Sequence, residues 1–531
     1  MGFVADFISF FTNSNSTEFL PSQEIDRSGL RAGRAFTWSY DGEKNMGELG
    51  PAVDYSIDYE TLRIRSWQSY IESEITLTVV NRFTLWAVGS GLKLQSDPDL
   101  EVLDTEGIDS FTADDKAKFA RLSEHRFKIW SKNKFSTHSE RSSLNRLERK
   151  ILKHAKVGGD CLVVLRSDGE NPTVEMYDGA HIKTPFGMID GAKGDNGNRI
   201  IKGVEIDSRN RHVAYHVAYR EGLKYHTERI PAKGKNTGLT MAFMVYGSEY
   251  RVDSVRGMPL IAVCLETIKK LERYKEATVG SAEERQKIVY QIVHGAASTG
   301  ESVLLQRAAT AAGVGNGNTN VPTDKNGDEV ANKVAVSTNK QTFNMPIDSK
   351  MESLDSKAEL HFGDFYNPNF DIICAAIGIP PNVARMKYDD SYSSSRAAIK
   401  DWEHTLRVER DELVEMMMSP IYGFWLWNQV MTQKVQVNGY LEAYAKRNRM
   451  ALAAFSESRW LGAQVPHIDP LKEVKAEREK LGPLGKDVPL STVEQATEVL
   501  GTGDAEDNAN QFLQEVKRFK PEPQKPSGKQ D

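Results

Sequence analysis

Between residues 59 and 90 apolar positions recur at roughly helical spacing, with Leu62, Ile71, Ile75 and Val80 along one stripe. Gly89 and Gly91 in V-G-S-G-L stop that run, so one or two helices are predicted there. Thr112 followed three positions on by Asp115 predicts a capped helix start, and Phe119, Leu122, Phe127 and Trp130 continue it with helical spacing. From about 157 to 250 the pattern shortens to runs such as C-L-V-V-L and H-V-A-Y-H-V-A-Y, separated by Gly and Asp turns including G-A-K-G-D-N-G-N. A mixed, mainly antiparallel region is expected. At Arg256-Gly257-Met258-Pro259 a long helix begins, with Pro259 near its first turn and Ile261, Cys264, Ile268 and Leu271 repeating at three and four residues. Lys269, Lys270, Glu272, Arg273 and Glu276 leave its other face charged.

Residues 306–345 are rich in Ala, Gly, Asn and Thr, too small and polar to bury a core of their own. Order is expected to resume at F-N-M-P-I-D, with a helix near 364–377 that Pro380 and Pro381 terminate. A polar loop follows, and a new helix is entered through Ser393, Ser394 and Ser395. In that helix Ile399, Trp402, Leu406, Leu413 and Met416 form a near-heptad seam with Glu409 as its one polar member. Further capped helices are predicted after Asp469, from a Ser491 to Glu494 capping box ended by Gly501, and after Asp504, where Phe512 to Phe519 form a stripe. The last residues, K-P-E-P-Q-K-P-S-G-K-Q-D, read as a disordered tail, and no internal repeat is visible.

Composition narrows the class. A chain of 531 residues exceeds the size at which single cores stop growing, so roughly three domains are expected. Hydrophobic residues at 39% and charged residues at 27%, with both signs mixed, fit a globular protein; the mean hydropathy of −0.49 agrees. The formal net charge of −6 argues against a surface built to grip phosphates throughout. Cys161, Cys264 and Cys374 lie far apart with no Cys-x-x-Cys, against zinc sites or a disulfide framework, and assembly in the cytoplasm fits. The start M-G-F-V-A-D-F-I-S-F-F lacks a basic region and a Ser or Thr at its sixth position, so it reads as a short docking helix rather than an address. No apolar run approaches a membrane span.

The usual motifs for chemistry are missing from the sequence. A phosphate-cradling G-x-x-x-x-G-K-[ST] loop is absent: V-G-S-G-L-K has the wrong spacing and no hydroxyl after Lys93. His212 and His216 stand in a strand-like alternation without a third ligand at zincin spacing, which reads as packing or surface. Asp389-Asp390 reads first as a solvated turn. In G-G-D-C-L, Gly158 and Gly159 read as a turn rather than a nucleophile elbow. No catalytic residue, metal site or cofactor is expected.

The segment Ile377 to Trp402, I-G-I-P-P-N-V-A-R-M-K-Y-D-D-S-Y-S-S-S-R-A-A-I-K-D-W, closely resembles the signature of the lambda-like portal proteins of tailed bacteriophages. The likeness continues in order through D-Y-E-T-L-R-I-R-S, V-G-S-G-L-K-L-Q-S, K-V-G-G-D, Y-R-V-D-S-V-R-G-M-P, I-D-P-L-K-E-V-K-A-E and E-V-L-G-T-G-D. Residues 306–345 match nothing in that pattern, and Ser393-Ser394 replaces the usual Asn-Tyr or Tyr-Ser.

The resemblance implies an α+β portal-type fold with long stem and wing helices, a mixed β-rich wing region and an α-helical C-terminal crown. It implies an N-terminal arm at 1–58, a wing at 59–257, a stem helix at 258–290 and a clip with a polar flexible insert at 291–352. A second stem helix at 353–380, a tunnel loop at 381–395, a wing helix at 396–440, a crown at 441–519 and a tail at 520–531 complete the plan. By the same resemblance Arg385, Lys387, Asp389, Asp390 and Tyr392 line a DNA channel, and Ser393, Ser394, Ser395 and Arg396 form the junction to the wing helix. The implied partners are further copies of the chain in a dodecameric ring, double-stranded DNA, the large terminase subunit, the capsid protein and head–tail adaptor or neck proteins, at the portal vertex of the virion, with no membrane and no cofactor. The competing readings are a nucleic-acid-processing enzyme of phage origin, which ATPase or nuclease activity would reveal, and another ring-forming head or neck component.

Overall fold

The computed structural model describes residues 59–287 with breaks at 168–170, 195, 222–223, 236 and 250–253, then 362–387, 392–462, 470–482 and 490–519 with breaks at 502 and 504. Short strand segments at 36–38, 44–46, 291–294, 336–337, 340–341 and 349–352 are also described. The insert at 306–345, apart from two of those short strand segments, Asp469, Asp504 and the tail lie outside the described residues. Two compact units result: Met1–Ile268 with Phe370–Asp531, and Lys269–Asn369.

The first unit opens on helices α1 (Tyr59–Glu72) and α2 (Glu74–Val88), parted at Ser73, whose Oγ accepts the Thr76 N–H and caps α2. That one-residue break resets the helical face. Leu62, Ile75 and Val80 are buried as the stripe predicts, but Ile71, in the last turn of α1, is exposed. Strand β1 (Lys93–Ser96) leads through α3 (Leu100–Thr105) to α4 (Ala113–Lys132), where Thr112 and Asp115 form the predicted capping box. Phe119, Phe127 and Trp130 of α4 are buried, but Leu122 is exposed because the buried row runs Phe119, Ser123, Phe127. Helix α5 (Leu144–Gly158) buries Leu144, Leu147, Ile151, Leu152 and Ala155 and ends at Gly159, whose φ of 96° suits a residue without a side chain.

The β-rich stretch matches its reading as mixed and antiparallel. β2 (Asp160–Ser167), β3 (Pro172–Asp178) and β8 (Ala242–Tyr246) form a sheet in the order β8-β2-β3, with Val245 opposite Cys161 and Leu165 opposite Val174. β4 (Arg199–Ile201), β5 (Val204–Ile206), β6 (His212–Glu221) and β7 (Lys224–Pro231) form an antiparallel meander, bulged between Glu205 and Ile206. One buried cluster, including Leu162, Val164, Val204, Tyr215, Val217 and Met244, joins the inner faces of both sheets.

The predicted long helix begins differently from its reading. Pro259 precedes a 3₁₀ turn at Leu260–Val263, and α6 (Leu265–Lys287) starts only after it. Ile261, Cys264, Ile268 and Leu271 are all buried. In the second unit α6 continues, Tyr274 stacks on Phe362 at 5.6 Å, and β9 (Gln291–His294) pairs with β10 (Ser349–Glu352). Helix α7 (Phe362–Ile377) ends at Gly378 with φ 79°, and the Ile379 N–H reaches back to the Cys374 carbonyl.

Pro381 then opens a five-residue helix α8 (Pro381–Arg385), so the segment read as loop from 381 is helical at its start. Helix α9 (Tyr392–Leu413) begins before the three serines, which occupy its first turn rather than leading into it. Trp402, Leu406 and Leu413 are buried; Ile399 and Met416 are half-buried. The seam slips at Met416 because Val414–Met418 is a π-helical bulge that turns Met417 and Met418 inward instead. Glu409, the seam's polar member, pairs with Lys156 at 2.7 Å. Helix α10 (Ser419–Met431) brings Tyr422 and Trp425 against Phe127 at 5.9 and 5.3 Å.

Helices α11 (Tyr440–Ala445) and α12 (Arg449–Phe455) lead to β11 (Ser458–Leu461), which pairs with β1 across more than three hundred residues. Helices α13 (Pro470–Leu481), α14 (Val493–Leu500) and α15 (Ala505–Phe519) close the chain. The capping box of α14 is Thr492 with Gln495, one residue beyond the predicted Ser491–Glu494 pair.

Candidate nucleic-acid interface

Of the residues nominated for the channel, Arg385 is the best defined. It closes α8, its Nη2 lies 3.3 Å from Asp371 Oδ1, and its guanidinium sits over the Phe370 ring at 4.3 Å. The apolar ring and the carboxylate hold the cation at the helix end while it stays partly accessible. Met386 takes a left-handed φ of 56° as the C-cap, which turns the chain, and Lys387 follows on the surface. Asp389 and Asp390 lie outside the described residues; for Tyr392, Ser393, Ser394, Ser395 and Arg396 the backbone is helical and the side chains lie outside the description. The structure therefore brings Arg385 and Lys387 to one short turn at the end of α8.

A second constellation escaped the sequence reading. Asp160, taken as a turn neighbour, is fully buried and accepts both arms of Arg256: Nε to Oδ2 at 2.7 Å and Nη2 to Oδ1 at 2.9 Å. Arg256 also donates from Nη1 to the Ile182 and Lys202 carbonyls at 3.0 and 2.7 Å, and from Nη2 to Gly179 O at 2.7 Å. All five guanidinium donors are used. Arg63 adds a 2.6 Å bond to Asp160, the Gly257 N–H donates to Asp160 at 3.1 Å, and the Tyr59 hydroxyl donates to Gly257 O.

Burial alone would raise the Asp160 carboxyl, but Arg256 and then Arg63 outweigh it and hold it below the usual carboxylate range. Beside it, burial also opposes ionisation of Asp178, yet the His154 hydrogen bond, the Ala180 N–H and Arg63 bring it to about 2. The cluster is saturated, so it fixes geometry and has no open valence for chemistry.

The glycines explain the backbone. A Cβ on Gly159 would lie 2.5 Å from the Gly257 carbonyl oxygen, and one on Gly257 would lie 2.2 Å from the Gly159 oxygen. The strand entry K-V-G-G-D and the helix entry V-R-G-M-P are thus pressed together, with Tyr59 and Arg63 of D-Y-E-T-L-R-I-R-S against both. Three segments that carry the family resemblance meet at one buried carboxylate.

The remaining candidates are packing residues. His212 Nδ1 lies 3.1 Å from the Tyr215 hydroxyl, and His216 lies 3.7 Å from Glu205 on the meander. Cys161, Cys264 and Cys374 are buried thiols. Among the described residues no group of three or more His, Cys, Asp or Glu is placed to hold a metal, and no helix is long and apolar enough to cross a membrane.

Residues 43–410 match the family model described as phage portal protein, lambda family. No curated protein matches the chain. Among solved structures, a chain from the neck of a native GTA particle computed with C12 symmetry is 11% identical, covers 90% of this chain and 97% of its own, and gives a TM-score of 0.41. A chain from the neck of an empty GTA particle computed with C6 symmetry is also 11% identical, with coverages of 86% and 97% and a TM-score of 0.43. At these scores the likenesses carry no part of the assignment. The family match does, because it spans more than two-thirds of the chain and includes every residue of the buried charge cluster and of the nominated turn: the chain belongs to the lambda family of phage portal proteins, structural components of the capsid.

Proposed function

We propose that the protein assembles into a homo-oligomeric ring, a dodecamer, at one vertex of the capsid, through which DNA enters during packaging and later leaves. The observation that carries this reading is the family match over 43–410. The large terminase subunit would dock first and head–tail adaptor or neck proteins afterwards, with the capsid protein around the ring. In this reading α6 and α7 belong to the stem, the β-rich stretch and α9 to the wing, and α13 to α15 to the crown. A ring requires a heterologous interface that closes by rotation. The protein acts as a channel and has no catalytic step.

Mass measurement and negative-stain imaging of the purified protein test this. The expected result is a closed ring with a central opening; a strict monomer at high concentration, with no ring at the vertex of assembled particles, overturns it.

Within that reading, the turn after α8 meets DNA by weak contacts of mixed sign. Arg385 and Lys387 supply transient phosphate contacts, while Asp389 and Asp390 keep net attraction low. Each added phosphate contact steepens salt-dependent affinity, so a more basic turn should grip a duplex that has to slide. Asp389→Lys with Asp390→Lys is expected to leave rings intact and to slow packaging or alter DNA retention, most at low ionic strength. Wild-type packaging and retention across a salt series would rule the channel role out.

A further inference from the structure

A cavity of about 680 Å³ lies between the C-terminal half of α4, β1, the entry to α5 and the first turns of α15. Its lining carries Lys93 from β1 and His125, Lys128 and Lys132 from α4, and Lys93, His125, Lys128 and Lys132 are all exposed. None of these four side chains has an ion-pair partner among the described residues. The one carboxylate in the described lining, Glu124, is already engaged, accepting the Ser96 N–H at 2.8 Å. Asn145 also lines the cavity, and its buried Oδ1 has no hydrogen-bond partner; as an acceptor it is completed by a donor such as water, so the four basic side chains alone carry the attraction for an anion. In a chain of net charge −6, this concentration of unmatched positive charge is local and specific.

We propose that this cavity is a second DNA-contact site, separate from the turn after α8, which engages the phosphodiester backbone of duplex lying against the outside of the protein. His125, Lys128 and Lys132 follow one face of α4 at intervals of three and four residues. They span about 10 Å of helix axis, which, laid along a duplex, covers roughly three phosphates of one strand at about 3.4 Å per phosphate of duplex axis. Lys93 reaches the same ligand from β1. The contact reads no sequence, since the cations present point charges without a fork for a base edge. The choice of DNA as ligand rests on the portal reading; the cation cluster itself does not.

Covalently closed circular duplex cannot thread a ring, so its binding reports only on outer surfaces. Binding of the full-length protein to such circles would be measured across a salt series, beside Lys93→Gln, Lys128→Gln, Lys132→Gln as a triple variant and a control triple of Lys446→Gln, Arg447→Gln, Arg449→Gln. The expected result is salt-dependent binding whose logarithmic slope falls by about 2 to 3 in the first triple and remains in the control, at roughly 0.9 for each phosphate that is no longer neutralised. Equal slopes in all three proteins, or no binding of circles at low salt, overturn the proposal. Parallel titrations use inorganic tripolyphosphate and poly-glutamate. Lysine-dependent binding of tripolyphosphate without circles assigns the cavity to a small phosphate ligand, and of poly-glutamate without circles to an acidic peptide; either result overturns the DNA assignment. A monomer by mass that still binds circles through these lysines separates failure of the ring from failure of the site.

Discussion

Arg256→Ala is expected to destabilise the first compact unit by about 3–5 kcal/mol, the range for removing one partner of a buried ion pair. Its guanidinium satisfies both oxygens of a carboxylate with no solvent exposure, together with three backbone carbonyls, two from the turn at Gly179–Ile182 and one from Lys202. Deleting it leaves Asp160 with Arg63 as its one remaining cation beside the Gly257 N–H, and leaves the Gly179, Ile182 and Lys202 oxygens without this donor, which is worse than never having built the pair. Arg256→Lys should recover only part of the loss, because three donors on a point charge replace five on a planar fork. Asp160→Asn should also destabilise, since two buried guanidinium groups then face a neutral amide. The Asp160 carboxyl is held below its ordinary range, so its contribution is present at neutral pH and is lost only as pH falls through the folded value. Urea unfolding of the single variants and of the double variant measures the coupling. A purely additive double variant, or single variants within about half a kcal/mol of wild type, would falsify the role assigned to the cluster.

The consequence of that loss extends to α6. Gly257 touches both the carboxylate and the Tyr59 hydroxyl, so the cluster sets where the 3₁₀ turn and then α6 begin. In the proposed ring this fixes the start of a stem helix, and Arg256→Ala should reduce ring yield together with stability.

Local grammar made much of the fold legible. The α4 start could be read because Thr112 and Asp115 are three residues apart and satisfy each other's backbone donors, a contact that needs nothing from elsewhere. The antiparallel region could be read from alternation and turns for the same reason. Errors fell where a neighbouring element chose the face. Ile71 is exposed because Ser73 breaks the helix just after it, and Ser123 instead of Leu122 lies inward because α4 packs its Phe119–Phe127 row against the core. The slip of the α9 seam at Met416 comes from a π bulge, which no apolar period announces.

The buried cluster was invisible because Arg63, Asp160 and Arg256 stand almost a hundred residues apart in turn. One signal was present: a lone charge beside glycine at V-G-G-D and again at V-R-G-M. Glycine there permits close backbone approach, and the charge beside it needs a partner at the same place. The turn at Arg385 was nominated only through family resemblance, and its physical character, Arg385 stacked on Phe370, depends on how α7 and α8 fold back on one another.

Glu148 is an acidic side chain that the helical spacing of α5 carries onto its buried side. In α5 it lies on the apolar stripe with Leu144, Ile151 and Ala155, and it is fully buried. One oxygen accepts the Leu92 N–H at 2.8 Å, delivered by the glycine turn of V-G-S-G-L; the other has no hydrogen-bond partner. Burial dominates over that single bond and pushes the carboxyl up to about 8, so at neutral pH the folded protein holds it protonated. The unfolded chain releases the proton near its ordinary value, so between about pH 4.5 and 8 the folded state binds one proton more than the unfolded state. Stability from this group is therefore complete below the unfolded pKa and falls by about 1.4 kcal/mol per pH unit through that window, levelling off above the folded value. Glu148→Gln keeps the acceptor for Leu92 and removes the titration. The variant is expected to lose that pH dependence and to exceed wild type by on the order of 3–5 kcal/mol at about pH 9, read from urea midpoints at matched ionic strength. Parallel stability curves for the two proteins from about pH 5 to pH 9 would show that the buried carboxyl does not titrate with folding, and the assignment of a neutral Glu148 would then be wrong.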